Sequence, residues 1–297
     1  MGVASRDVRG SSVATITVSD LVAEAAAALR AAGVEQPRLE ARWLLGWVLD
    51  ISESRQLAHP DQPISTTDAD RYRDAVRRRA NHEPFAYVVG AADFWGRELL
   101  VDRRVLVPRE DTETLVAEAL TLGPALRERS HQALVVDVGT GSGAIACALT
   151  SEMPWARVVA SDISAEALAV AAQNRDRLGL YGRLQLVRGS LLSWLREPAD
   201  LVVANLPYLP TARIPTLMAE VADWEPRVAL DGGDDGLDLI RKLLADARRV
   251  MRPGGTMLLE MDPEQIAPTR ALLPAATSRV IQDVAGLDRV LRLDLPA

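Results

Sequence analysis

The 297-residue chain is 48% hydrophobic and 25% charged, enough apolar content to bury one large core and one smaller one. Its net charge of −7 argues against a surface that grips bare nucleic acid through many phosphate contacts. A single cysteine, Cys147, excludes an internal disulfide, and with three scattered histidines it makes no metal-ligand cluster, so no metal is expected and a reducing, cytoplasmic setting fits.

Residues 1–18 read as a Ser/Val/Arg-rich extension that need not be ordered, without the uninterrupted apolar stretch of an export signal. Apolar runs such as Leu134 to Val138 are too short to cross a bilayer, so no membrane partner is expected. Ser19 is placed to cap an Ala-rich helix from Asp20 to Ala32, stopped by Gly33. Leu39, Trp43, Leu44, Trp47 and Val48 recur at helical spacing over Arg38 to Leu49 and predict one apolar face. After a Pro-containing loop, Ser65-Thr66-Thr67 predicts the cap of a third helix, Asp68 to Asn81. That helix carries Arg71, Arg73, Arg77, Arg78 and Arg79, readable as a partner-binding face or as a solvated face offset by Asp68, Asp70 and Asp74. Residues 19–83 thus predict a small helical domain.

Over residues 84–107 short β-like runs, Ala86 to Val89 and Glu98 to Val101, predict a linking hairpin. Residues 108–297 then alternate strands with helices. Strands are predicted at Leu134 to Val138, Arg157 to Ser161, Leu184 to Val187, Leu201 to Ala204 and Thr256 to Met261, with a terminal pair at Val280 to Val284 and Arg289 to Leu293. Helices at Gly143 to Ser151, Ala165 to Leu178 and Leu237 to Met251 intervene, which implies βαβ units and a mostly parallel sheet, an α/β domain. Cys147 on the first of these helices reads as core, and His59, His82 and His131 as loop or helix-end residues.

Two motifs carry chemistry. The turn Asp137-Val138-Gly139-Thr140-Gly141-Ser142-Gly143 follows a strand and opens a helix, where glycines permit a tight turn and free N–H groups favour an anionic ligand. Its spacing is neither the dinucleotide fingerprint nor a Walker loop. Asp162, at the end of the next strand, is placed to accept ribose hydroxyls. Glycine turn plus acidic strand end resembles the Rossmann-like S-adenosylmethionine-dependent methyltransferases. The resemblance implies that Gly139, Thr140, Gly141, Ser142 and Gly143 pass the methionine part, that Asp162 holds the ribose, and that Ser190 and Leu191 lie near the adenine. Ser190 stands where many such enzymes have an acid.

The second motif, Asn205-Leu206-Pro207-Tyr208, ends an apolar strand. It resembles the Asn-Pro-Pro-Tyr signature of methyltransferases that modify a planar nitrogen, in a glutamine amide or a nucleobase. Such a nitrogen has a delocalised lone pair, and it attacks better when both its N–H groups are held. The Asn205 side-chain oxygen and the Leu206 carbonyl can be the two acceptors, Pro207 stiffens the turn, and Tyr208 packs on the flat group. Leu206 stands where the signature has proline, which relaxes the backbone restraint there.

With Phe94-Trp95-Gly96, Val107-Pro108-Arg109-Glu110-Asp111-Thr112-Glu113, Glu225-Pro226-Arg227 and Asp231-Gly232-Gly233-Asp234-Asp235-Gly236, nearly the whole chain resembles the HemK/PrmC family. The resemblance implies a protein-(glutamine-N5) methyltransferase. Its acceptor would be the Gly-Gly-Gln glutamine of class 1 peptide chain release factors, docked in part by the N-terminal domain. Substrate residues would be Phe94, Arg109, Glu113, Asn205, Leu206, Pro207 and Tyr208. Arg109, with Glu113 fixing its fork, can orient a carboxylate or a substrate backbone; Pro108 with its acids equally makes a helix-start salt bridge. Phe94 can wall the glutamine pocket or be core, and the Gly/Asp run can be only a turn. The alternatives are methylation of a ribosomal-protein glutamine, adenine-N6 methylation of nucleic acid, which the acidic balance disfavours, and a catalytically weak cofactor-binding homologue. No stable nucleic acid binding is expected.

Overall fold

The computed structural model describes residues 15–130 and 132–297; most of the expected N-terminal extension and His131 lie outside them. The chain divides into two compact units between Val89 and Gly90.

The first unit is helical: α1 Val18–Ala31, α2 Pro37–Leu49, α3 Glu53–Ala58, α4 Thr66–Ala80 and α5 Phe85–Val89. Thr17, not Ser19, caps α1, because Asp20 completes a reciprocal capping box with it and starts the helix two residues early. Ser65 caps α4 by accepting the Asp68 N–H. Leu21, Leu29, Leu44, Leu45 and Tyr72 fill the core between α1, α2 and α4, with the Tyr72 hydroxyl donating to the Ala41 carbonyl at 2.9 Å. Trp43 and Trp47, expected in that core, are 47% and 46% exposed, since Leu44, Leu45 and Val48 already occupy the inward stripe. The arginine row of α4 is matched by acids: Arg73 with Glu24, Arg78 with Glu83, Arg79 with Glu40, Arg71 with Asp68 and Arg77 with Asp74. The predicted strand Ala86 to Val89 is instead helix α5, started at Pro84, whose carbonyl accepts the Tyr87 and Val88 N–H groups.

The second unit opens with an antiparallel hairpin, β1 Ala91–Phe94 and β2 Arg97–Leu100, turning at Trp95 and Gly96, both in the left-handed region. After α6 Glu113–Thr121 and α7 Gly123–Arg129, the chain runs β3 Leu134–Val138, α8 Ala144–Glu152, β4 Arg157–Asp162, α9 Ala165–Arg177, β5 Leu184–Arg188 and β6 Ala199–Ala204. Then follow the short α10 Ala219–Ala222, α11 Asp238–Val250, β7 Met251–Glu260, α12 Pro263–Leu272, β8 Thr277–Gln282 and β9 Asp288–Asp294. Seven strands make one sheet in the order β5-β4-β3-β6-β7-β9-β8, parallel from β5 through β7 and antiparallel at β9 and β8. Val284, expected in a strand, is 96% exposed in the turn beyond β8.

The central strands β3 and β6 are buried along their whole length, as their mostly apolar runs, each broken by one buried aspartate (Asp137, Asp200), require of strands covered on both faces. The chain builds β3, β4 and β5 outward and then returns to place β6 on the other side of β3. That reversal opens a crevice beyond the carboxyl ends of β3 and β6, which pair Val138 with Ala204. Gly139 follows the first end and Asn205 the second, so topology alone brings the two motifs together.

Candidate active site

At the glycine turn, the Gly139 and Thr140 N–H groups both donate to the Ser161 carbonyl at 2.9 and 3.0 Å. The Gly141 N–H donates to Asp162 Oδ2 and the Ser164 N–H to Asp162 Oδ1, each at 2.9 Å. Both carboxylate oxygens are thereby oriented, and each keeps acceptor capacity for a ligand. A side chain on Gly139, which has φ +75°, would meet Leu206 Cδ2 at 3.0 Å, so glycine lets the second motif pack directly on the first.

A cleft holding about 910 Å³ of empty space, open to solvent, occupies the crevice. Gly139, Gly141, Asp162, Ser190, Leu191, Asn205, Leu206 and Pro207 all contribute to its wall, together with Ile163, Val228 and Leu239. Three residues expected at the cofactor do not line it. Thr140 is buried, donating to Asp137 Oδ2 at 2.6 Å. Ser142 is buried, its carbonyl accepting from Asn174. Gly143 faces α9, where a Cβ would sit 3.1 Å from Ala171 Cβ. These three build the turn. Asp137 beneath them is fully buried, and burial pushes its carboxyl up to about 7.

A second, smaller pocket, holding about 490 Å³ of empty space and likewise open to solvent, is lined by Arg109, Asn205, Leu206, Tyr208, Leu217 and Glu260 among others. Asn205 and Leu206 line both spaces and so form the wall between them. Asn205 Nδ2 donates to Thr112 Oγ1 at 3.1 Å. Burial pushes the Tyr208 phenol well above its usual range, and the carboxylates of Glu260 and Asp262 push the same way.

The loop after Pro207 is held on the far side by the Gly/Asp run. Leu209 donates to the Leu230 carbonyl and Gly232 to the Leu209 carbonyl, at 3.1 and 2.9 Å. A side chain on Gly232 would lie 2.7 Å from the Pro207 oxygen, and one on Gly236 would lie 2.1 Å from the Tyr208 oxygen. The run is therefore a brace that needs bare backbone, more than a turn before α11.

Two expected substrate residues stand elsewhere. Phe94 is 2% exposed and packs in the core of the second unit with Leu115 and Leu149, off both pockets. Glu113 accepts the Trp95 N–H at 2.5 Å and does not touch Arg109. The partner of Arg109 is Glu225, bonded from Nη2 at 2.7 and 2.8 Å. Glu225 also accepts the Val107 N–H at 3.3 Å, and its burial raises its pKa against the pull of Arg109. Sequence reasoning gave no role to Thr112 or Glu260. Glu260 was detectable by the signal that marks Asp162, an acid closing an apolar strand at the sheet's carboxyl edge.

Cys147 is buried and its thiol is pushed up to about 12 by burial, which removes it as a nucleophile. Among the described residues, no helix is long and apolar enough to cross a membrane.

The sheet order and the two pockets meeting at the strand ends define a Rossmann-like methyltransferase. Residues 20–90 match the family model described as PrmC N-terminal domain, and residues 135–224 one described as Methyltransferase domain. The release factor glutamine methyltransferase of Moorella thermoacetica is 42% identical over 280 residues, 92% of this chain and 97% of that protein. The one from Geobacter sulfurreducens is 39% identical over 263 residues, 87% and 90% of the two chains. The chain belongs to the release factor glutamine methyltransferase family. In fold alone it also resembles the hMettl16 catalytic domain solved with an RNA hairpin, with a TM-score of 0.54 at 12% identity over 81% of this chain and 85% of that one.

Proposed function

We propose that the chain transfers a methyl group from S-adenosylmethionine to the side-chain amide nitrogen of the Gly-Gly-Gln glutamine in class 1 release factors, in the cytoplasm where these act. The carrying observation is the shared wall: Asn205 and Leu206 face both a large cleft with an oriented carboxylate and a small pocket sized for a side chain.

The cleft fits the proposed cofactor. Its Ile163, Leu191, Val228 and Leu239 offer apolar cover for an adenine, Asp162 offers acceptors for ribose hydroxyls, and Gly139 and Gly141 admit a chain past the backbone. When bound there, the cofactor supplies an electrophilic sulfonium methyl. The protein's part is positioning. Asn205 Oδ1 and the Leu206 carbonyl accept the two amide N–H groups and hold the nitrogen at the wall, facing the cleft. Tyr208 packs against the flat amide and Leu217 closes the pocket apolar. Arg109 Nη2 pairs with the buried Glu225, which also accepts the Val107 N–H, so the two contacts tie the 107–109 segment at the pocket wall.

Labelled S-adenosylmethionine with purified class 1 release factors, their Gly-Gly-Gln variants, ribosomal proteins and nucleic acid as separate acceptors tests this. Label is expected on release factor alone and lost when the motif glutamine is replaced. Label on another acceptor in preference to the release factor overturns the assignment.

A further inference from the structure

Glu260 closes β7 as Asn205 follows β6, and the two leave adjacent strands at one level, since Leu259 pairs with Ala204. The Glu260 side chain is buried at 3% exposure, lies on the wall of the smaller pocket, and its Oε2 has no hydrogen-bond partner. An ordinary structural ion pair does not explain it. Arg289 acts on it through space but bonds Asp111, Asp262 and Asp283. Thr112 and Asn205 are the polar side chains beside the carboxylate that pull its pKa down against burial, and Asn205 Nδ2 donates to Thr112 Oγ1 at 3.1 Å.

The three groups differ in what they permit. A hydroxyl both donates and accepts, so Thr112 alone accommodates either face of the Asn205 amide. An ionised carboxylate only accepts. An ionised Glu260 beside Thr112 favours the arrangement in which the hydroxyl donates toward the carboxylate and its oxygen accepts, and only the NH2 end of Asn205 can meet that oxygen, as observed. We infer that Glu260 and Thr112 are positioning residues that fix which way the Asn205 amide faces, holding Nδ2 on protein acceptors and presenting Oδ1 to the substrate nitrogen. This rests on the reading of the pocket as a glutamine site. A flipped Asn205 would set its NH2 against the substrate NH2, donor against donor, and its oxygen against Thr112 and Glu260.

Burial pushes the Glu260 carboxyl up to about 7, with Asp111 acting in the same direction and Arg289 opposing it. The Tyr208 phenol also faces it, and Asp262 acts on that phenol. Below this range the protonated carboxyl becomes a donor and the direction of the relay is lost.

The test compares the full-length wild type with Glu260→Gln, Thr112→Val and Thr112→Ser, using S-adenosylmethionine and a class 1 release factor. Kinetics are followed from below to above pH 7, and cofactor affinity by calorimetry. Glu260→Gln keeps shape and burial but can donate, so kcat is expected to fall ~10- to 100-fold, the scale of a misplaced reacting group, with cofactor Kd unchanged. Thr112→Val should lose as much, and Thr112→Ser should recover to within a few-fold of wild type. The wild-type kcat/KM should decline on the acid side of about 7, and Glu260→Gln should lack that limb. Wild-type kcat in Glu260→Gln, a loss confined to cofactor Kd, or an acid limb that survives the substitution overturns the inference. A wild type that labels no glutamine overturns the proposed function itself, a result separable from equal labelling by wild type and variant.

Discussion

Leu206 is the residue at which this chain departs from the signature it resembles, and the structure shows what the departure is used for. Its side chain is 5% exposed, belongs to the core cluster with Val138 and Leu237, and packs on Gly139. The leucine replaces a ring constraint with a packed contact between the two motifs. Leu206→Pro should therefore keep methyl transfer, because the acceptor is the backbone carbonyl, while losing about 1–3 kcal/mol of stability with the buried apolar contact. Denaturant titration beside a transfer assay checks both; an inactive but fully stable variant would show that the leucine shapes the loop chemically. Asn205→Ala removes the side-chain acceptor, so transfer should fall by ~10²- to 10³-fold, the loss seen when a preorganised hydrogen-bonding group is removed. Cofactor binding should stay measurable by calorimetry, and wild-type turnover would refute the role given to Asn205. Glu260 adds a stability signature. Its folded pKa is raised from 4.5 to about 7, so ionisation penalises the fold and stability declines as pH rises through that window. Glu260→Gln should melt higher than wild type above pH 7, with the gap closing as pH falls toward 4.5, an exchange of stability for function at an active site.

At the scale of elements, what was legible in the sequence depended on how local its cause was. The strands β3, β4 and β6 announce themselves as short, mainly apolar runs and the helices α9 and α11 as periodic ones, because burial on both faces or on one stripe is written into consecutive residues. Ala86 to Val89 carries the same β-branched content as a strand but follows a proline whose carbonyl starts a helical turn, and the turn prevailed over propensity. The pairings that build the site join residues far apart in the chain, such as Arg109 with Glu225 and Thr112 with Asn205. No spacing rule reveals them. The glycines after Asp231 were equally opaque, since what they require is the approach of another loop's backbone. This gives a paired test. Gly236→Ala places a Cβ on the Tyr208 carbonyl at φ +75°, whereas Gly286→Ala, at φ +80°, meets nothing within 4 Å. The second should cost only the left-handed strain of about 1–2 kcal/mol. The first should cost more and reduce transfer, because Tyr208 must move. Equal melting and equal activity of the two variants would remove the brace from the account.

Across the whole molecule, every residue lining the cleft and the smaller pocket lies between Arg104 and Glu260, inside the unit that begins at Gly90. The first unit has its own core of Val18, Leu21, Leu29, Leu44, Leu45 and Tyr72, its arginine row is matched by acids, and Trp43 and Trp47 stand exposed on it. Two cores predict separable functions: cofactor binding and the chemical step belong to one unit, and affinity for a protein acceptor depends on the other. A fragment comprising residues 90–297 should fold cooperatively and bind S-adenosylmethionine with the affinity of the full chain, since no pocket residue is removed. On a short Gly-Gly-Gln peptide it should keep most of the kcat of the full chain. On an intact release factor its kcat/KM should fall by more than about tenfold, a loss of roughly 1.4 kcal/mol of binding that appears in KM and spares kcat. An equal loss on peptide and on intact protein would assign the first unit to supporting the active site, and no loss on either would leave it without a part in recognising the acceptor.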